Sequence, residues 1–107
     1  MKSYKLSNMK RGWIVGGFDP TAFSTQDCEV AVKHYKAGDR EGAHFHKIAT
    51  EITCIVSGEV IMCEKRWTAG DIIVLSPGDI TSFEALTDAV TTVVKLPGAL
   101  NDKYNVK

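Results

Sequence analysis

The chain has 107 residues, with 13 Lys and Arg against 13 Asp and Glu and 44% hydrophobic residues; such a length builds one core, and such a composition is that of a globular domain. A formal net charge of zero, with no basic cluster larger than Lys10-Arg11 or Lys65-Arg66, offers nothing to attract nucleic acid or an anionic membrane surface. No apolar run approaches the ~20 residues of a membrane span.

The basic opening, Lys2, Lys5, Lys10 and Arg11, leads into an apolar run over 13–18. That run is shorter than the ~7–15 residues of a secretory signal core, so a cytoplasmic protein is expected. Beyond it the apolar residues keep no helical period, and short stretches rich in Val, Ile and Thr are cut off by Gly, Pro or Asp. The strands expected are residues 12–15, 29–35, 43–46, 51–56, 60–63, 72–75, 81–84 and 90–95. Turn signals separate them at Gly38-Asp39, Ser57-Gly58, Gly70-Asp71, Pro77-Gly78 and Pro97-Gly98. Short strands so spaced predict an all-β jelly-roll barrel, one domain over 1–107. Cys28, Cys54 and Cys63, odd in number and without a Cys-x-x-Cys pair, read as reduced thiols packed in the core. The strands 52–56 and 72–75 are apolar on both faces, so the outer face needs a cover. Either the N-terminal strands supply it or a second copy does in a homodimer, the commoner arrangement for a small domain.

The chemistry concentrates between Gly38 and Gly58. Strand alternation places His44 and His46 on one face with adjacent imidazoles. Glu51 follows a short polar connection and opens the next strand, where its carboxylate can return to the same interior. Two imidazoles and a carboxylate on a rigid sheet form a ligand set suited to Fe, Mn, Ni or Zn.

These residues resemble the first motif of the cupin superfamily, a Gly, five residues, His-x-His, four residues, Glu, six residues and Gly, which Gly38, His44, His46, Glu51 and Gly58 match in full. The segment 70–83, with Gly70 and Pro77-x-Asp79 around Gly78, is similar to the second motif. Thr81 stands where that motif has its third metal-binding His, and no histidine follows His46. The resemblance implies a cupin-type double-stranded β-helix, a small polar or sugar-like molecule in the barrel, and three alternative chemistries. In the first, His44, His46 and Glu51 hold a divalent metal whose open positions take substrate. In the second, as in the metal-free sugar-nucleotide epimerases and isomerases of this fold, His44 or His46 is the base and Tyr35 the acid. Arg40, Lys47 or Lys33 would then hold anionic groups. In the third the protein binds a ligand without turnover. Thr81 and Phe83 are candidate substrate contacts, although aromatic residues such as Trp13, Trp67 and Phe83 pack more often than they stack on ligands. Arg40, Glu41 and Lys47 are of the kind most often simply solvated, and His34 has no partner in the sequence.

Overall fold

The computed structural model describes residues 1–106. After two 3-10 turns, Leu6–Asn8 and Lys10–Gly12, the chain forms ten strands. They are β1 (Trp13–Val15), β2 (Glu29–Tyr35), β3 (Arg40–Phe45), β4 (Thr50–Ser57), β5 (Glu59–Met62), β6 (Lys65–Thr68), β7 (Ile72–Leu75), β8 (Thr81–Ala85), β9 (Ala89–Leu96) and β10 (Tyr104–Asn105). One antiparallel sheet has the order β1-β2-β9-β4-β7 and the other β10-β3-β8-β5-β6. The all-β jelly roll expected from the spacing of turns is therefore present, and the ranges expected for β2 and β7 coincide with those observed. Among the described residues no helix is long and apolar enough to cross a membrane.

Two strands are absent from the sequence reading. The Lys65-Arg66-Trp67-Thr68 stretch is too polar to show a core-facing alternation; it pairs with β5 because Cys63 and Glu64 both take positive φ, 52° and 62°, and close a two-residue hairpin. The last strand, two residues long, exists only by pairing with β3, Tyr104 beside Phe45 and Asn105 beside His44.

Inward-facing residues change character along each strand. On β4 they run Glu51, Thr53, Ile55; on β9 Ala89, Thr91, Val93, Lys95; on β8 Thr81, Phe83, Ala85. The apolar ends meet in the core of Ile55, Val60, Met62, Ile73, Leu75, Phe83, Ala85 and Ala89, against which Tyr35, Cys63 and Trp67 pack. The polar ends meet at the opposite end of the barrel and line a cavity. A packed apolar plug at one end thus fixes the walls of an open polar end.

The three thiols are free, but each is half-buried rather than a member of the core: Cys54 belongs to the outer side of the first sheet, Cys28 directly precedes β2 and Cys63 lies in the hairpin turn. The outer face of that sheet is also uncovered. Strand β1 extends the sheet beside β2 instead of crossing it, leaving Ile72 63%, Val74 58% and Val56 51% exposed.

The two glycines that bracket the first motif differ in what they require. Gly38 has φ +94° with open space where a Cβ would lie, whereas Gly58 has φ +87° and its Cβ would lie 2.3 Å from the Asp88 carbonyl oxygen. Gly38→Ala is expected to cost only the left-handed strain, about 1–2 kcal/mol. Gly58→Ala adds a backbone clash and is expected to cost about 2–5 kcal/mol. Urea unfolding of both variants checks the order.

Candidate functional site

The cavity has a volume of about 470 Å³, and His44, His46, Glu51, Tyr35, Thr81 and Phe83 all line it. Each is delivered by an element with a reason to be there. On β3 a bulge between Glu41 and His44 sets Glu41 beside Phe83 and His44 beside Thr81 on β8, so two residues of opposite parity both face the cavity. His46 follows the end of β3, where the connection to β4 is closed by Asp102. One carboxylate oxygen of Asp102 accepts from the Lys47 amide at 3.0 Å; the other accepts from those of Ile48 and Ala49 at 3.0 and 2.9 Å. The Asp102 backbone carbonyl in turn lies 2.6 Å from His46 Nδ1. Burial pushes the Asp102 carboxyl up, but the three amide donors outweigh it and hold the group below the ordinary carboxylate range.

The hydrogen bonds assign the tautomers. His44 Nδ1 lies 2.9 Å from the Gly42 carbonyl and His46 Nδ1 2.6 Å from that of Asp102; a carbonyl only accepts, so both Nδ1 atoms carry hydrogen. His46 Nε2 then faces Glu51 Oε1 at 3.2 Å, and Thr53 Oγ1 donates to Glu51 Oε2 at 3.2 Å. A nitrogen lone pair directed at a carboxylate oxygen requires a cation between them. When that cation is a proton, His46 is an imidazolium in an ion pair buried in the cavity wall. The Glu51 hydrogen bond raises the His46 pKa against the opposing effect of burial, while burial raises the Glu51 value and His46, Lys95 and Thr53 together more than offset it, so that it ends low. The rings of His44 and His46 are edge-on with centroids 5.8 Å apart.

Tyr35 packs on Phe83, ring centres 4.3 Å apart. Burial, followed by the charges of Glu41 and Glu51, raises its phenol well above the ordinary value, so it stays protonated. Arg40 and Lys47 are not among the cavity-lining residues: Arg40 is exposed and bonds Glu84 at 3.2 Å, and the Lys47 ammonium sits 4.2 Å from the centre of the Tyr104 ring. Lys33 does line the cavity, together with Arg11, Trp13, Thr91, Lys95 and Asp102. His34 is exposed on the outer side of β2. Of the residues that the motif reading missed, Lys95 was detectable by its parity, since it shares the inward register of Ala89, Thr91 and Val93. Asp102 carried no local signal, its partners lying more than fifty positions away.

As the side chains stand, no three His, Cys, Asp or Glu among the described residues are spaced as a metal-ligand set. The donors nonetheless fit a divalent ion in kind. Two imidazoles are locked with Nδ1–H on backbone carbonyls, the support that metal-binding histidines ordinarily have, and a carboxylate faces one of them.

No protein-family model and no curated protein sequence matches the chain. Solved structures do. An uncharacterized conserved protein with a double-stranded β-helix domain from Klebsiella pneumoniae is 23% identical over 77% of this chain and 72% of that one, with a TM-score of 0.69. A sugar phosphate isomerase from a cupin superfamily, from Silicibacter pomeroyi, is 20% identical over 65% and 50%, with a TM-score of 0.61. A Bacillus subtilis oxalate decarboxylase with Mn(II) centres is 19% identical over 77% and 25%, with a TM-score of 0.66. The shared feature is the fold, a double-stranded β-helix.

Because the folded pKa of His46 is raised, its contribution to stability is complete below about pH 6.5 and is lost as pH rises through the folded value. Glu51, held low, contributes above about pH 4.3 and is lost as pH falls through its folded value. In metal-free protein the His46 ring resonances should therefore titrate above those of free histidine. Glu51→Gln should bring that midpoint down, because burial then acts without its main opponent. Asp102→Ala, which orphans three amides, should cost about 2–3 kcal/mol by urea unfolding and shift the His46 resonances.

Proposed function

We propose that this protein binds a small polar molecule in the barrel cavity and acts on it at the His46–Glu51 pair, with His44 and a divalent metal ion completing the reactive centre. The observation that carries this reading is the position between His46 Nε2 and Glu51 Oε1, 3.2 Å apart, where both atoms present lone pairs once Nδ1 is tied to the Asp102 carbonyl. His44, His46 and Glu51 would hold the metal. The ion would supply Lewis-acid polarisation of a bound oxygen. The chain supplies the rest. Thr53 steadies the second Glu51 oxygen, Thr81 stands opposite His44, and the packed pair of Tyr35 and Phe83 walls one side against water. The mixture of metal-dependent and isomerase neighbours is consistent with such a pocket.

A proton in the same position gives the second reading, favoured by the hydrogen bond already present between His46 and Glu51. His46 Nε2 and the Glu51 carboxylate would then exchange a proton with the substrate, and Tyr35 would act as hydrogen-bond donor. Elemental analysis of untagged protein separates the two, and the metal reading expects about one Mn, Fe, Ni or Zn per chain. It also expects Glu51→Gln to weaken metal binding and Thr81→His, which sets a third imidazole opposite His44, to tighten it about tenfold, ~1.4 kcal/mol. A chelator competition titration reads both. Absence of metal, with no thermal shift in any of the four ions, overturns the metal reading in favour of the proton.

The uncovered face of the first sheet supports a homodimer. Val30, Val32, Ile52, Cys54, Ile72, Val74 and Val94 lie outward on β2, β9, β4 and β7 without one charged side chain. Such a face is complementary to itself, as a two-fold interface requires, with no like charges to oppose it. Light scattering should give twice the chain mass at micromolar concentration, and Ile72→Lys should return a folded monomer. A monomeric wild type overturns the proposal.

A further inference from the structure

Next to Glu51, which pairs in register with Lys95, the half-buried Lys33 and Lys95 bring their ammonium groups to 5.1 and 5.0 Å from the centre of one indole, that of Trp13. The register explains the convergence: Trp13 stands beside Ala31, which pairs with Val93, and the two lysines leave from rows on either side of that pair. Arg11 and Lys103 line the same cavity. None of these four cations belongs to an ion pair among the described residues.

The facing carboxylates do not neutralise this cluster closely. Glu51 is engaged by His46 and Thr53, and Asp102 by three amides. Glu29 and Glu51 are the register neighbours of Lys95, Asp19 lines the same cavity and Glu41 raises the Lys33 pKa, but among the described residues none of them forms an ion pair with either lysine. Burial is the largest cause lowering the Lys33 pKa; Glu41, the next largest, raises it, and Arg11, Lys95 and Lys103 lower it further. Directly across the sheet from Lys33 is Thr91, a cavity-lining residue whose hydroxyl oxygen is buried and has no hydrogen-bond partner. Such an orphaned donor is costly, and a ligand oxygen would satisfy it. The indole face holds the two ammoniums in place without consuming their charge.

We infer that this end of the cavity is an oxyanion subsite, in which Lys33, Lys95 and Arg11 bind a phosphate or carboxylate of the substrate, Thr91 donates a hydrogen bond and Trp13 forms a flat wall. The inference rests on the proposed function for what happens at the other end of the molecule: an anionic tail held here presents its reactive carbon toward His46 and Glu51. The substrate class is thus a small acid or a phosphorylated polyol or sugar, not a neutral one.

The test uses the whole protein and two probes, inorganic phosphate and acetate, followed through the Trp13 indole N–H resonance. Saturable binding of at least one is expected, and the tighter of the two identifies the phosphoryl or carboxylate source. Lys33→Met and Lys95→Met, which keep the apolar stems, should each weaken that binding about tenfold, ~1.4 kcal/mol. Lys33→Arg and Lys95→Arg should retain it, and the exposed Lys36→Met should leave it unchanged. His46→Asn should weaken it less than either lysine variant, because the ammonium groups hold the anion although Lys95 neighbours Glu51; this arm separates the subsite from the proposed function. No saturable binding of either probe, or equal weakening by Lys36→Met, overturns the inference. So does loss of binding in His46→Asn with the lysine variants unaffected, which would place the anion on the imidazolium or its metal.

Discussion

The hydrogen bond from His46 Nδ1 to the carbonyl of Asp102, 2.6 Å long and spanning 56 positions of sequence, is the contact on which the rest of the site depends. It fixes the tautomer of His46 and thereby turns Nε2 toward Glu51. It exists because the Asp102 carboxylate gathers the amides of Lys47, Ile48 and Ala49, which would otherwise be a loop of unpaired donors between β3 and β4. The C-terminal segment is consequently a structural part of the cavity, and the short strand β10 serves to bring it alongside β3.

The same constraint explains how a domain of this size tolerates so much polar chemistry inside. A barrel that is apolar at Ile55, Val60, Ala85 and Ala89 has its strand register fixed there, and the inward residues two or four positions further along have no choice of face. Glu51, Lys95, Thr81 and Glu29 are held inward by the packing of their own strands. The cost of burying them is contained by pairing: Glu51 with His46 and Thr53, Asp102 with backbone amides. Pairing stops at the half-buried Lys33 and Lys95 and at the Thr91 hydroxyl; of these only the last is fully buried, where an unpaired polar group is costly.

The outer surface follows an opposite logic. Strand β7 is apolar on both faces and β4 on its outer one at Ile52, Cys54 and Val56, and β1 adds to the edge of the sheet beside β2 instead of lying across it. The first sheet thus presents Val and Ile side chains outward, with Val56, Ile72 and Val74 each more than half exposed.

What the sequence by itself determined is everything set by local period and spacing. Alternation and turn residues defined eight of the ten strands, and the spacing from Gly38 to Gly58 located His44, His46 and Glu51 in one interior, since parity along a strand dictates facing. What only the tertiary structure decided is everything that depends on pairing between distant segments. The bulge that turns both Glu41 and His44 inward, the capture of His46 by Asp102, the convergence of Lys33 and Lys95 on Trp13, and the placement of Arg40 on Glu84 and Lys47 over Tyr104 all arise between strands. A charged side chain near a motif in sequence carries no information about which of two sheets its neighbours will join. Only register across those sheets, fixed by the apolar end of the barrel, settles that.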